Sequence, residues 1–137
     1  MTSQIKTIQD IPVAYVAKKG HPSAVAEKAF GDLEQKVPLR GNKFYGVFDR
    51  NENEYRACVA LTEANQTAVQ GFAQSIIHGG AYACTTLVGD YYNILRQIKP
   101  AFDALAAQYE CDPARSNVEF YKRHTEVVVM LPVKQGI

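Results

Sequence analysis

A doubled order of strands and helices, punctuated each time by glycine, constrains this chain more than any other feature. Residues 10–17 alternate as a strand does, with Val13, Tyr15 and Ala17 on one face and Ala14 and Val16 on the other. Gly20-His21-Pro22 breaks the strand, and Ser23 is the expected N-cap of a helix reaching to about Val37. Inside it Ala26, Phe30, Leu33 and Val37 recur at helical spacing, which predicts a core stripe, and Pro38 stops it. Residues 43–49 and 55–61 then read as a hairpin of two strands around a polar turn segment.

Residues 62–75 read as a connector, with some strand expected within 69–77. After Gly79-Gly80 the order returns. Residues 81–88 form a strand, Gly89-Asp90 supplies a break and an N-cap, and residues 91–109 carry a helical stripe of Ile94, Leu95, Ile98, Phe102, Leu105 and Tyr109. Pro100 interrupts that stripe. A mid-helix proline costs about 3 kcal/mol, so a kink is expected there, or a helix that begins near it. Residues 118–121 and 126–133 are the last two strands.

The halves superpose: Gly20 on Gly89, Gly46-Val47-Phe48 on Glu119-Phe120-Tyr121, and the apolar run 56–61 on 127–131. The repeat is one of pattern rather than of residues. Two units of about 70 residues are too few for a solenoid, which needs at least ~3. The expectation is therefore one α+β domain over residues 1–137, built from pseudo-twofold duplicated β-α-β-β half-units at about 10–62 and 79–134. An antiparallel sheet would carry two helices, with a central ligand cleft where the halves meet.

The formal net charge is +1, and no basic cluster is denser than Lys18-Lys19 or Lys122-Arg123, so nothing predicts general attraction to nucleic acid or anionic membrane. Apolar residues make up 47% and charged residues 21%, as in folded globular domains. No apolar run approaches the ~18 residues of a membrane span. A polar start without a secretory signal, and cysteines too spread for a disulfide framework, predict a reducing, cytoplasmic setting. Cys58, Cys84 and Cys111 are expected as small buried fillers. His21, His78 and His124 have no metal-ligand spacing, and no catalytic triad or phosphate loop is readable, so no metal, cofactor or catalytic residue is predicted.

One carboxylate stands out. In residues 117–121, Glu119 and Tyr121 share one face of a strand while Val118 and Phe120 share the other. Either the Glu119 face is an outer surface, its carboxylate paired with a lysine or arginine, or it lines a cleft and the acid has a purpose. Alternation alone leaves both open.

Gly80-Ala81-Tyr82-Ala83, Gly89-Asp90-Tyr91, and Glu119-Phe120-Tyr121 with the closing Leu131-Pro132-Val133 together resemble the second half of the GyrI-like effector-binding family. That bacterial family comprises ligand-sensing domains of AraC- and MerR-type regulators and freestanding forms that include the DNA gyrase inhibitor protein. The resemblance covers residues 11–134, by pattern more than by motif in the first half. It implies a pocket for small molecules, often lipophilic cations, as in multidrug binding. Carried over, Glu119 is the charge-recognising residue at the pocket floor and Tyr121 lies beside it, while Tyr82 and Tyr91 match motif tyrosines. Phe48 joins them from the internal repeat.

The function so implied is a freestanding binding module for a small hydrophobic or cationic ligand, serving sensing, sequestration or regulation. The alternatives are a hydrolase that turns the pocket glutamate on strained electrophiles, and a gyrase-inhibitor-like protein-interaction module. No helix-turn-helix precedes the domain, so direct nucleic-acid binding is not expected, while a protein partner or homodimer stays open. Because Gly46 stands where the second half has Glu119, the charge is expected once, on the second-half wall.

Overall fold

Alternating and β-branched runs become strands, and the two helical stripes become helices. The computed structural model describes residues 2–134, so Met1 and residues 135–137 of the expected span lie outside the described residues. In chain order the elements are β1 (Ser3–Ile8), β2 (Ile11–Lys19), α1 (Pro22–Glu34), β3 (Phe44–Asp49), β4 (Glu54–Ala60), β5 (Ala73–Ile77), β6 (Gly80–Val88), α2 (Tyr91–Gln108), β7 (Asn117–Arg123) and β8 (Glu126–Pro132). The fold is α+β, with antiparallel strands and two helices. The chain divides into two compact units: Asp10–His78, and the remainder from Gly79 onward together with the segment through Gln9.

In the first-half unit the strand order is β5-β2-β4-β3, every neighbouring pair antiparallel. The amphipathic α1 lies over β2 and β4. Its Ala29 and Leu33 are buried, as are Val37, Ala14, Ala57 and Val59, while Phe30 meets Tyr55 edge-on at 6.2 Å between centroids. Gly46 lies opposite Ala57, and Phe48 opposite Tyr55. The connector is organised by the buried Asn65. Its Oδ1 accepts from the Thr62 amide at 3.0 Å, and its Nδ2 donates to the Ala60 carbonyl at 2.9 Å and to Asn42 Oδ1 at 2.8 Å. A buried amide with this many partners fixes the connector without regular structure.

In the second-half unit the order is β1-β6-β8-β7, again antiparallel. Here α2 lies over β6 and β8. Ile94, Ala101 and Leu105 from the helix pack with Ala81, Ala83, Leu87, Val127, Val129 and Leu131 from the sheet.

Neither β1 nor a defined β5 follows from local pattern, and together they change the topology. Only Gln9-Asp10 separates β1 from β2, and only His78-Gly79 separates β5 from β6. Linkers this short ordinarily make hairpins. Instead β1 pairs with β6 and β5 with β2. Each β-α-β-β half-unit is thus preceded by one further strand, which is built into the other half's sheet.

Two local expectations are corrected. Ser23 is not the cap of α1; His21 is, its Nδ1 accepting from the Ser23 amide at 3.1 Å. Proline's fixed φ suits the first helical position, so Pro22 starts the helix and moves the cap back to His21. α2 does not begin near Pro100 but runs as one helix with Pro100 inside it. Pro100 and Arg96 are both exposed, so the helical bond that Pro100 cannot make is lost on the solvent-facing side of α2. Asp90 caps α2 as expected, its side chain accepting from the Asn93 amide.

Candidate functional site

Strand alternation places Glu119 and Tyr121 together on one face of β7. Glu119 lies opposite Val129, and Tyr121 opposite Val127. Directly opposed residues of an antiparallel pair point to the same side. Val127 and Val129 belong to the core under α2, and Tyr121 packs against that core. The Glu119 face is therefore the helix-side face, on the strand next to the two that α2 covers.

Glu119 is only 7% exposed. The Tyr121 hydroxyl donates to its Oε1 at 2.6 Å, within the range of charge-assisted O–H···O⁻ bonds. A buried carboxylate needs donors to replace its water, and the side chain two residues along the strand supplies one. Val118 is also buried, at 2%, so at this point the strand is covered on both faces. An exposed glutamate on an outer surface is not what the chain builds.

The structural neighbours agree with this architecture. An integron cassette protein from the mobile metagenome of Vibrio cholerae superposes with a TM-score of 0.75 at 13% identity, covering 96% of this chain and 95% of that one. The C-terminal domain of EcmrR gives 0.69 at 12% identity, covering 98% of each. SAV2435, in a structure bound to tetraphenylphosphonium, gives 0.64 at 13% identity, covering 98% and 94%. The likeness is one of fold. No family model matches the sequence, and no curated protein matches it. The neighbours are consistent with the GyrI-like fold that the motifs resemble.

The other expected site residues take different positions. Tyr82 is 1% exposed and lies between Ala81 and Ala83, which face α2, so alternation turns it to the opposite side of the sheet from Glu119. There the Arg115 guanidinium sits over its ring at 4.8 Å. Tyr91 opens α2 at 37% exposure, tilted against His124 of the β7–β8 turn at 5.7 Å and edge-on to Tyr92 at 5.9 Å. Phe48 belongs to the first-half unit, on the same side as Tyr55, with the His21 ring 5.9 Å away. Within the second-half unit, Glu119 and Tyr121 are brought together and Tyr82 is turned away from them.

Sequence reasoning missed Arg115, which explains Tyr82. Its Nε donates to Asp112 Oδ2 at 3.1 Å and its Nη2 to the Val133 carbonyl at 2.9 Å. The signal was present as Asp112-x-x-Arg115 in a loop, a spacing that lets the two side chains meet. This guanidinium lies against Gly80, where an added Cβ would come within 2.7 Å of Nη1.

Cys58 and Cys84 are buried as expected, whereas Cys111 is only half-buried against the α2 core. Burial pushes Cys58 up to about 12 and Cys84 upward as well, so thiolate, the reactive form, is scarce at both. Each donates weakly to the carbonyl two residues back, Arg56 and Tyr82 respectively, at 3.7 Å. Among the described residues no group of three His, Cys, Asp or Glu side chains is placed to hold a metal ion. No helix among them is long and apolar enough to cross a membrane.

Proposed function

We propose that this chain is a small-molecule-binding module of the GyrI-like effector-binding type, and that its ligand is a lipophilic cation. The observation that carries the reading is the buried Glu119 carboxylate, held by the Tyr121 hydroxyl on the helix-side face of β7. A fold neighbour bound to tetraphenylphosphonium supports the ligand class. Glu119 supplies the charge and the Tyr121 ring a polarisable wall, with Tyr91 of the same unit as a further candidate aromatic. Tyr82 is left out because it faces the other side of the sheet.

The magnitudes favour charge over stacking as the anchor. At an effective dielectric of ~20, opposite charges about 5 Å apart attract by about 3 kcal/mol. A cation over an aromatic face gains about 0.5–2 kcal/mol. Losing the carboxylate should therefore cost more than losing any one ring.

Titration calorimetry with tetraphenylphosphonium and with the neutral triphenylphosphine oxide tests this. The cation is expected to bind and the neutral compound to bind at least about 10-fold more weakly. Equal affinity for the two would defeat the claim of charge recognition.

The same pair favours one second reading. A phenol hydrogen-bonded to a buried carboxylate is also a usable general acid/base couple. Turnover of a strained electrophile that is lost in Glu119→Gln, with binding retained, would select an enzyme over a receptor.

A further inference from the structure

The contact between Tyr121 and Glu119 has a consequence for which cations the site takes. A carboxylate recognises a primary ammonium by accepting hydrogen bonds from its N–H groups, and a quaternary ammonium or phosphonium by charge alone. At Glu119, Oε1 already accepts from the Tyr121 hydroxyl at 2.6 Å, which takes up acceptor capacity without removing the negative charge. Tyr121 sits two residues along the same strand face and packs against the α2 core, so its ring is held where the hydroxyl reaches the acid.

We infer that Tyr121 is a specificity-determining residue: by occupying Glu119 Oε1 it makes the site select cations that carry no N–H donors over cations that do. This rests on the cation-binding reading above. A primary ammonium entering the site gives up its water and needs acceptors for three N–H groups, so the Glu119 position taken by Tyr121 weakens its compensation. A quaternary cation has no donor to satisfy and keeps its full attraction to the carboxylate. The phenol thus acts on the ligand through the acid rather than by direct hydrogen bonding.

The test measures benzyltrimethylammonium and benzylammonium against the full chain and against Tyr121→Phe, with thermal melting as the check that the variant folds. Methyl groups favour the first probe on hydrophobic grounds in both proteins, so the readout is the change in the ratio of the two affinities. Tyr121→Phe is expected to shrink the preference for the quaternary probe by about 10-fold, the size set by one charge-assisted hydrogen bond. A ratio that does not move, with both probes bound, overturns the specificity role and leaves the cation reading intact. Absence of binding by benzyltrimethylammonium and by tetraphenylphosphonium in the unaltered chain overturns the cation reading and this inference with it. Should Tyr121→Phe fail to fold, the unaltered chain decides against the neutral isosteres: a quaternary preference exceeding that for neopentylbenzene over ethylbenzene by about 10-fold supports the inference, and one no larger contradicts it.

Discussion

On the helix-side face of β3 the first-half unit carries Gly46 and Phe48; at the matching positions of β7 the second-half unit carries Glu119 and Tyr121. The registers correspond. Gly46 lies opposite Ala57 as Glu119 lies opposite Val129, each two register positions farther from the hairpin turn than the aromatic. Both positions are buried. One sheet design thus carries a hydrogen at one place and a carboxylate at its counterpart, and the carboxylate has a hydroxyl beside it where the glycine has a plain phenyl ring. The buried acid comes together with its donor: the aromatic two residues along is a tyrosine only in the unit that holds the charge.

Transplanting the charge should break the comparison most strongly. Gly46→Glu puts a carboxylate on a buried position where Phe48 has no hydroxyl to offer, and an uncompensated buried charge costs about 3–5 kcal/mol. Chemical denaturation should show that loss. Adding Phe48→Tyr to the variant should recover part of it, and no recovery would mean that the phenol does not stabilise the acid.

The exchanged strands come next. Removing residues 2–9 takes β1 from β6 and leaves the ladder of the second-half unit open along one edge. With net contributions of about 0.5–1.5 kcal/mol per hydrogen bond, offset by the entropy of ordering the strand, a loss on the order of 3 kcal/mol is expected. Hydrogen exchange should show protection falling in β6 and β8 before it falls in β2 and β4. Uniform loss across both units would contradict the assignment of β1 to the second.

The glycines that end β2 and β6 give a smaller and finer contrast. Gly20 and Gly89 occupy matching places, with φ of 128° and 141°, so a side chain is strained at both. At Gly20 an added Cβ also meets Val25 Cγ1 at 3.1 Å, whereas at Gly89 nothing lies within 4 Å. Gly→Ala should cost about 1–2 kcal/mol at each, more at Gly20. Comparison of melting temperatures checks the order, and a larger loss at Gly89 would contradict it.

Much of this was legible because it is local. Alternation put Glu119 and Tyr121 on one face, glycines and the Asp90 cap of α2 marked where the helices begin, and the hairpins followed from polar turns between apolar runs. Facts set by distant partners were not legible. Ser3-Gln4-Ile5-Lys6-Thr7-Ile8 is polar and largely exposed, and its strand state is imposed by the β6 ladder rather than by propensity. Tyr82 matched a motif, yet its face depends on which residues of β6 meet α2, and that is a tertiary fact. Arg115 came from a loop with no periodicity to read. His21 capped a helix in place of the expected Ser23 because the neighbouring proline shifted the start.

The proposed anchoring of a lipophilic cation by the buried Glu119 carboxylate is tested most directly by titrating tetraphenylphosphonium into Glu119→Gln. The amide keeps the side-chain shape and an oxygen for the Tyr121 hydroxyl, so melting should change little while affinity falls. A loss of about 10- to 100-fold is predicted, corresponding to one charge pair in a partly screened site. Affinity equal to that of the unaltered chain, in a variant that melts normally, would contradict the account.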